Sequence, residues 1–168
     1  INTYWKQEQA VELSQLTPTD ESLGKEGYRL TFSPSTIQVE ANSDLGLLYG
    51  VYDLLRRQET GNLIQEGIIN EVPAYQYRVL NHWDNPDLSV ERGYAGNSLW
   101  KWEQLPDTLS PVYEEYARAN ASIGINCTVL NNVNADPIML TTDYLYKVKA
   151  LADIFRPYGL KVYISINF

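Results

Sequence analysis

The sequence has one cysteine, Cys127, and one histidine, His82. A lone cysteine excludes an intramolecular disulfide and a cysteine-based metal site. No apolar run approaches the roughly 20 residues of a membrane-spanning helix, and residues 1–4 do not resemble a signal peptide. Cytoplasmic and periplasmic or secreted locations are all consistent with these features.

Basic residues are also scarce. The chain has 13 Lys and Arg and 21 Asp and Glu, which gives a formal net charge of −8. They are scattered along the chain, so no positive stripe is available for phosphate backbones or anionic lipid. Nucleic acid is therefore not an expected partner.

Aromatic side chains are abundant, with 13 Tyr and 4 Trp in a chain that is 44% hydrophobic. This hydrophobic content is typical of a globular protein. Aromatic faces stack on the C–H surfaces of sugars, which makes the composition compatible with carbohydrate binding. Tyrosines half-buried at the rim of a core would give the same composition, so aromatic content alone selects no function.

The first half of the sequence predicts a β-hairpin that leads into a helix. Residues 28–32 and 37–41 alternate apolar and polar side chains, and residues 33–36 between them have the composition of a turn. Three consecutive residues can cap the helix: Asn42, Ser43 and Asp44. Its buried face is expected to contain Leu47, Leu48, Val51, Leu54 and Leu55. Residues 67–73 are predicted to be an extended linker, because Pro73 disfavours helix at the residue before it.

From residue 77 onward, strands alternate with helices. Buried strands are predicted at residues 77–81, 127–130 and 161–166. The first intervening helix starts at Ser110 and Pro111, and its buried face is expected to contain Tyr113, Tyr116, Ala117, Asn120 and Ala121. The second is capped by Thr142, and its buried face is expected to contain Leu145, Val148, Ala152 and Phe155.

Three strands joined by two helices predict a parallel sheet with right-handed crossovers, either the opening of an eight-stranded barrel or a doubly wound sheet. A phosphate-binding doubly wound unit would have a Gly-rich turn after its first strand, whereas residues 81–85 read Asn-His-Trp-Asp-Asn. Polar and aromatic loops after strands are typical of the active face of a barrel. Because a full barrel needs roughly 250 residues, the sequence predicts an incomplete one.

Six segments resemble known proteins. In chain order they are 45–50 (LGLLYG), 78–85 (RVLNHWDN), 90–96 (VERGYAG), 121–126 (ASIGIN), 130–135 (LNNVNA) and 158–163 (YGLKVY). The first is similar to the helix of the accessory domain that many barrel glycosidases carry in front of the barrel. The other five resemble the segments around the first three barrel strands of glycoside hydrolase family 67, the α-glucuronidases.

The resemblance implies an α/β architecture in two parts. Residues 1–73 would be the C-terminal part of a small α+β accessory domain. Residues 74–168 would form the first three strands of a TIM (β/α)8 barrel, incomplete in this chain. The implied enzyme removes 4-O-methyl-D-glucuronic acid from xylo-oligosaccharides with inversion and without a cofactor. Its catalytic carboxylates would come from later barrel strands, so no catalytic residue is expected in this chain.

Four residues are candidates for substrate binding. Trp83 resembles the family tryptophan that covers the methyl group of the uronic acid, and Val133 resembles the second apolar wall of that pocket. A core tryptophan and a packing valine are the structural alternatives. Asp84 is a candidate acceptor for a sugar hydroxyl, with capping of its own loop as the alternative, and Asn132 is the fourth candidate.

The remaining polar residues near the first strand have structural interpretations. His82 is interpreted as a hydrogen-bonded structural group rather than an acid or base. Glu91 and Arg92 are interpreted as an ion pair that holds the long loop, in preference to substrate contact.

The partners implied by the resemblance are glucuronic-acid-substituted xylo-oligosaccharides and, for the full-length enzyme, a second copy in a homodimer. Two other functions stay open at this point. One is a noncatalytic carbohydrate-binding module, against which the alternation of strands and helices argues. The other is a fragment of another barrel glycosidase such as a hexosaminidase, against which residues 81–85 and 91–96 argue.

Overall fold

A computed structural model describes residues 9–167 of the 168-residue chain, so residues 1–4 lie outside the described part. The chain divides into two compact units. One contains residues 9–76 with Ser122–Gly124, and the other contains residues 77–121 and 125–167. No helix in residues 9–167 has both the length and the apolar character needed to cross a membrane.

The first unit is built on a four-stranded sheet. Its elements are β1 (Ala10–Gln15), a short 3-10 helix (Glu21–Leu23), β2 (Tyr28–Phe32), β3 (Thr36–Ala41), α1 (Asp44–Glu59) and β4 (Gly67–Glu71). The strand order is β1-β3-β2-β4. Strand β1 runs parallel to β3, whereas β2 is antiparallel to both of its neighbours.

The predicted hairpin is confirmed as β2 and β3. Leu30 stands opposite Val39 in the register, and both side chains are fully buried. The turn closes when the Ser33 backbone N–H donates to the Thr36 carbonyl at 2.9 Å. The alternation of apolar and polar residues thus places one face of the hairpin in the core, as a period of two requires.

Two strands of this sheet differ from the sequence prediction. The extended conformation predicted for residues 67–73 is confirmed at Gly67–Glu71, but the prediction of a linker is wrong there, because these residues form β4 and pair with β2 along its whole length. Strand β1 is not predicted at all, and each of its six residues is exposed. Neither segment has a buried stripe of its own, so its extended conformation depends on a partner strand elsewhere in the chain.

Helix α1 begins after Ser43, whose hydroxyl accepts a hydrogen bond from the Gly46 N–H at 3.2 Å. The predicted apolar face is wrong in part, since Leu55 is 47% exposed. The buried residues are Gly46, Tyr49, Gly50, Asp53 and Leu54. A Cβ atom at Gly50 would lie 2.6 Å from the Val39 side chain. The helix therefore contacts the sheet through its glycines, and this close approach leaves Leu47 and Leu48 only partly buried and Leu55 exposed.

The buried face of α1 also contains a carboxylate. Asp53 is 4% exposed and forms ion pairs with Arg56 at 2.7 Å and Arg57 at 2.8 Å. Burial and the neighbouring Asp53 charge raise the pKa of Tyr28 far above its usual range, so this tyrosine stays protonated.

The second unit contains three short strands and two longer helices. Its elements are β5 (Val79–Asn81), α2 (Pro111–Ser122), β6 (Cys127–Val129), a 3-10 helix (Pro137–Leu140), α3 (Thr142–Phe155), a second 3-10 turn (Arg156–Tyr158) and β7 (Lys161–Tyr163). The sheet order is β5-β6-β7, and both pairs are parallel. This confirms the predicted order of strands and helices in residues 77–167. The predicted burial is wrong for the two outer strands, since β5 is exposed throughout and β7 is mostly exposed.

The predicted helix faces differ in accuracy. In α2, four of the five expected residues are buried, and Tyr116 is partly buried. In α3 the buried residues are Leu151 and Phe155, whereas Leu145 is 43% exposed and its prediction is wrong. The residue at the N-terminal cap is Thr141 rather than Thr142.

Loss of the buried carboxylate of α1 should destabilise the chain. Asp53→Asn removes the charge partner of two arginines, which are themselves partly exposed and can be rehydrated, so we expect a loss of about 1–3 kcal/mol. The measurement is urea unfolding followed by circular dichroism. Asp143→Asn is the control, because the Asp143 side chain, which pairs with Lys147, is 76% exposed and should contribute little. Equal losses in the two variants would contradict the prediction.

Candidate functional site

The four candidate residues follow two neighbouring parallel strands. Trp83 and Asp84 come just after β5, and Asn132 and Val133 come just after β6. Because β5 and β6 are parallel, both loops leave the same edge of the sheet. The backbone N–H of Asn132 donates to the Asp84 carbonyl at 2.7 Å, which joins the two loops directly.

The two apolar candidates are both accessible. Trp83 and Val133 are each 40% exposed, whereas Trp100 and Trp102 are almost fully buried. The structural alternative of a buried core tryptophan therefore does not describe Trp83. Both side chains present apolar surface that a ligand could cover, and their role in a methyl pocket stays a prediction.

Asp84 is 4% exposed and well supplied with hydrogen bonds. One carboxylate oxygen accepts from the Ser98 hydroxyl at 2.5 Å and the Leu99 N–H at 3.1 Å, and the other lies 3.5 Å from His82 Nδ1. Burial acts to raise the pKa of Asp84, but hydrogen bonds from His82 and Ser98 outweigh it and lower the pKa below 3.8. This environment favours the alternative in which Asp84 caps its own loop.

His82 lies in a chain of polar side chains, as its structural interpretation requires. Its Nε2 is 2.7 Å from the Tyr116 hydroxyl, which is 2.8 Å from the buried Thr128 hydroxyl. The imidazole ring packs edge-on against Trp100, with 5.2 Å between ring centroids. With Asp84 on Nδ1 and Tyr116 on Nε2, both ring nitrogens have partners and the ring orientation is fixed.

The asparagines after β6 shape their loop. Asn132 is 4% exposed, and its side-chain oxygen accepts from the Asn134 N–H at 3.0 Å. Asn131 donates to the Ser165 carbonyl at 2.8 Å and accepts from the Ser165 N–H at 2.9 Å. The loop after β6 is thereby tied to the segment that follows β7.

The predicted ion pair between Glu91 and Arg92 is wrong. In residues 9–167 no ion pair joins these side chains, and the Glu91 carboxylate instead accepts a hydrogen bond from the Tyr94 hydroxyl at 3.2 Å. Arg92 is exposed to solvent. The long loop is held mainly by other groups, including Ser98 on Asp84.

The arrangement offers exposed aromatic and apolar surface, from Trp83 and Val133, beside two loops that the hydrogen bond from the Asn132 N–H to the Asp84 carbonyl joins. The buried carboxylate at this end of the sheet, Asp84, is engaged in hydrogen bonds. No group of three metal-ligating side chains occurs in the described part of the chain.

Comparison with protein families gives two matches. The profile of the glycosyl hydrolase family 67 middle domain matches residues 57–168. The profile of glycosyl hydrolase family 20, domain 2, matches residues 2–70.

Curated relatives agree with the first match. The chain is 40% identical over 147 residues to a probable alpha-glucuronidase A of Neosartorya fischeri and 38% identical over 148 residues to one of Aspergillus oryzae. These alignments cover 87% and 88% of this chain but 17% and 18% of the relatives. The chain thus spans less than a fifth of the length of these relatives.

A similar fold occurs in a solved beta-N-acetylhexosaminidase. The superposition covers 97% of this chain and 37% of that chain, with a TM-score of 0.57 and 18% sequence identity. At this level of identity the likeness concerns the fold alone. It supports a mixed α/β fold of the kind found in barrel glycosidases.

Replacing Asp84 by asparagine should reduce stability in a pH-dependent way. Because folding lowers its pKa, ionised Asp84 stabilises the fold above its ordinary pKa of 3.8, and this contribution is lost as the pH falls through the lower folded-state value. We expect a loss of about 1–2 kcal/mol near neutral pH, and this loss should shrink as the pH is lowered well below 3.8.

The measurement is urea unfolding followed by tryptophan fluorescence, carried out once at neutral pH and once well below pH 3.8. The exposed Asp107→Asn is the control and should show no such change. A destabilisation by Asp84→Asn that is the same at both pH values would show that the carboxylate charge is not the stabilising feature.

Proposed function

Since the chain belongs to glycosyl hydrolase family 67, we propose that it is part of an α-glucuronidase that hydrolyses 4-O-methyl-D-glucuronic acid from xylo-oligosaccharides with inversion. The observation that carries this proposal is the family match over residues 57–168. The curated alpha-glucuronidase A relatives support it. In this proposal the chain supplies one part of the substrate pocket.

The two compact units correspond, in this proposal, to parts of two domains. Residues 1–73 are the C-terminal part of an α+β accessory domain, and residues 74–168 are the first three strands of a TIM barrel. Support for the first comes from the family 20, domain 2 match at residues 2–70. Support for the second comes from the parallel order β5-β6-β7 with its intervening helices.

The pocket is proposed to form at the carboxyl ends of β5 and β6. Trp83 and Val133 would enclose the 4-O-methyl group, and their equal exposure of 40% supports this role. Asp84 and Asn132 would hold the two loops in register, because the Asn132 N–H is bonded to the Asp84 carbonyl. Contact of Asp84 or Asn132 with a sugar hydroxyl stays a prediction.

The chemistry proposed for the enzyme needs two carboxyl groups. An inverting glycosidase uses one to protonate the leaving oxygen and one to activate water, roughly 6.5–9.5 Å apart. We assign both to parts of the enzyme outside this chain, and no cofactor is expected. A homodimer of the full-length enzyme is a further prediction from the family resemblance.

A hexosaminidase is the main competing function, because residues 2–70 match a family 20 domain. That match falls in the unit without Trp83 and Val133, whereas the family 67 match includes both residues. A noncatalytic carbohydrate-binding module is less favoured, because the two curated relatives described above are both named probable alpha-glucuronidase A.

The 168-residue chain alone should release no uronic acid from aldouronic acids. The reason is that the acid and base of the reaction are assigned to segments outside it. The measurement is uronic acid release by the purified chain, with the full-length enzyme as the positive control. Turnover that follows the chain through successive purification steps would place the catalytic carboxylates within residues 1–168.

Variants of the two apolar residues should separate specificity from activity in the full-length enzyme. One buried methyl group contributes about 0.8 kcal/mol, so Val133→Asn should reduce the preference for methylated over unmethylated substrate by about fourfold. Trp83→Ala should lower kcat/KM for both substrates, because it removes a larger contact with the sugar.

The measurement is kcat/KM for both substrates with each variant. Val72→Asn is the control, since Val72 is 49% exposed and lies in the other unit. An unchanged methyl preference in Val133→Asn would remove Val133 from the pocket.

A further inference from the structure

Glu91 has a left-handed backbone conformation, with a φ of 58°. Its N–H donates to the Trp83 carbonyl at 2.8 Å. Its carbonyl accepts from the side-chain amides of Asn85 at 2.9 Å and Asn132 at 3.4 Å. Glu91 belongs to the long loop after β5, so these hydrogen bonds hold it against the start of that loop, at Trp83 and Asn85, and against Asn132 in the loop after β6.

This conformation is unfavourable for a residue with a side chain. The left-handed region favours glycine, and glycines occur at Gly93 and Gly96 of the same loop, with φ of 89° and 95°. A glutamate at such a position costs folding free energy. We therefore expect the side chain of Glu91 to have a function that glycine could not provide.

Leu88 provides an internal comparison, because it also has a positive φ, of 72°. Its side chain packs against the buried core that contains Trp100 and Leu130, and this packing offsets the strain. The Glu91 side chain is partly exposed. Its carboxylate accepts a hydrogen bond from Tyr94, and no Lys or Arg in residues 9–167 forms an ion pair with it.

Resting on the α-glucuronidase function, we propose that Glu91 is a substrate-binding residue whose carboxylate accepts hydrogen bonds from neutral sugar hydroxyl groups beside Trp83. An ionised carboxylate has about four acceptor positions, and the Tyr94 hydroxyl uses one. Tyr94 is 75% exposed and Trp83 is 40% exposed, so aromatic faces on which a sugar ring can stack lie on the same loop.

Charge selects the kind of group that Glu91 binds. The uronic acid is an anion at neutral pH, and like charges repel. The Glu91 carboxylate would therefore disfavour the uronate group and accept from hydroxyl donors. This assigns Glu91 to recognition of the neutral part of the substrate, a role distinct from the apolar contact proposed for Trp83 and Val133.

The test uses the full-length enzyme and xylobiose substituted with 4-O-methylglucuronic acid. Glu91→Gly should leave the melting temperature unchanged or raise it, because it relieves the left-handed strain. The same variant should lower kcat/KM by roughly 10- to 100-fold through loss of a charge-assisted hydrogen bond. Glu91→Gln keeps an acceptor oxygen and should lose less activity than the glycine variant.

Leu88→Gly is the matched control for strain without substrate contact, and it should lower the melting temperature because packing is lost. The inference fails if Glu91→Gly keeps wild-type kcat/KM, or if it lowers the melting temperature as much as Leu88→Gly does. A gain in kcat/KM for Glu91→Gln would also overturn it, since the charge would then be repelling the substrate. A wild-type enzyme that releases no uronic acid would instead refute the proposed function itself.

Discussion

A buried hydrogen bond, from the Trp100 indole N–H to the Leu130 carbonyl at 2.9 Å, fastens the long segment after β5 to the end of β6. The indole is fully buried and packs against the rings of His82, Tyr113 and Phe155. This contact draws a segment without regular secondary structure into the centre of the second unit. The aromatic rings thus form a core that α2, α3 and the loop share.

The candidate site depends on the same contact. Ser98 lies two residues before Trp100, and its hydroxyl both donates to Asp84 and accepts from the Trp100 N–H. Because Trp100 is held in the core, it also holds Ser98 in place. Ser98 in turn holds Asp84, and thereby the loop that presents Trp83. A ligand surface can be exposed and still well positioned when a buried anchor lies directly behind it.

The parts of the fold that follow from local patterns are predictable from the sequence. The β2–β3 hairpin has strict alternation, and α2 has a clear cap and apolar face. Strand β4 lacks such a pattern, and β1 buries neither face, since Val11 and Leu13 are both exposed. Both strands are extended because they pair with strands that lie far away in the chain. The buried face of α1 is predicted wrongly in part. Hydropathy alone places its leucines in the core, whereas Gly50 allows the helix to contact the sheet closely on another side.

The candidate site, like the fold, can be predicted from the sequence only in part. The positions of Trp83 and Val133 after parallel strands follow from the strand pattern and the family resemblance. The partners of Asp84 do not, because Ser98 and Leu99 are 14 and 15 residues away in the chain. Nor does any local signal predict a left-handed backbone at Glu91, since neighbouring Gly93 and Gly96 are the residues that usually carry such angles.

The parallel pairing of the second sheet also affects synthesis on the ribosome. The backbone N–H of Arg78, just before β5, donates a hydrogen bond to the Asn126 side chain, 48 residues later, and the Asn131 side chain donates to the Ser165 carbonyl, 34 residues later. Strand β5 thus has no partner until β6 has emerged, whereas β2 and β3 are adjacent. Vectorial synthesis therefore favours early folding of the hairpin and leaves β5 the longest without a partner, open to chaperones or to premature contacts.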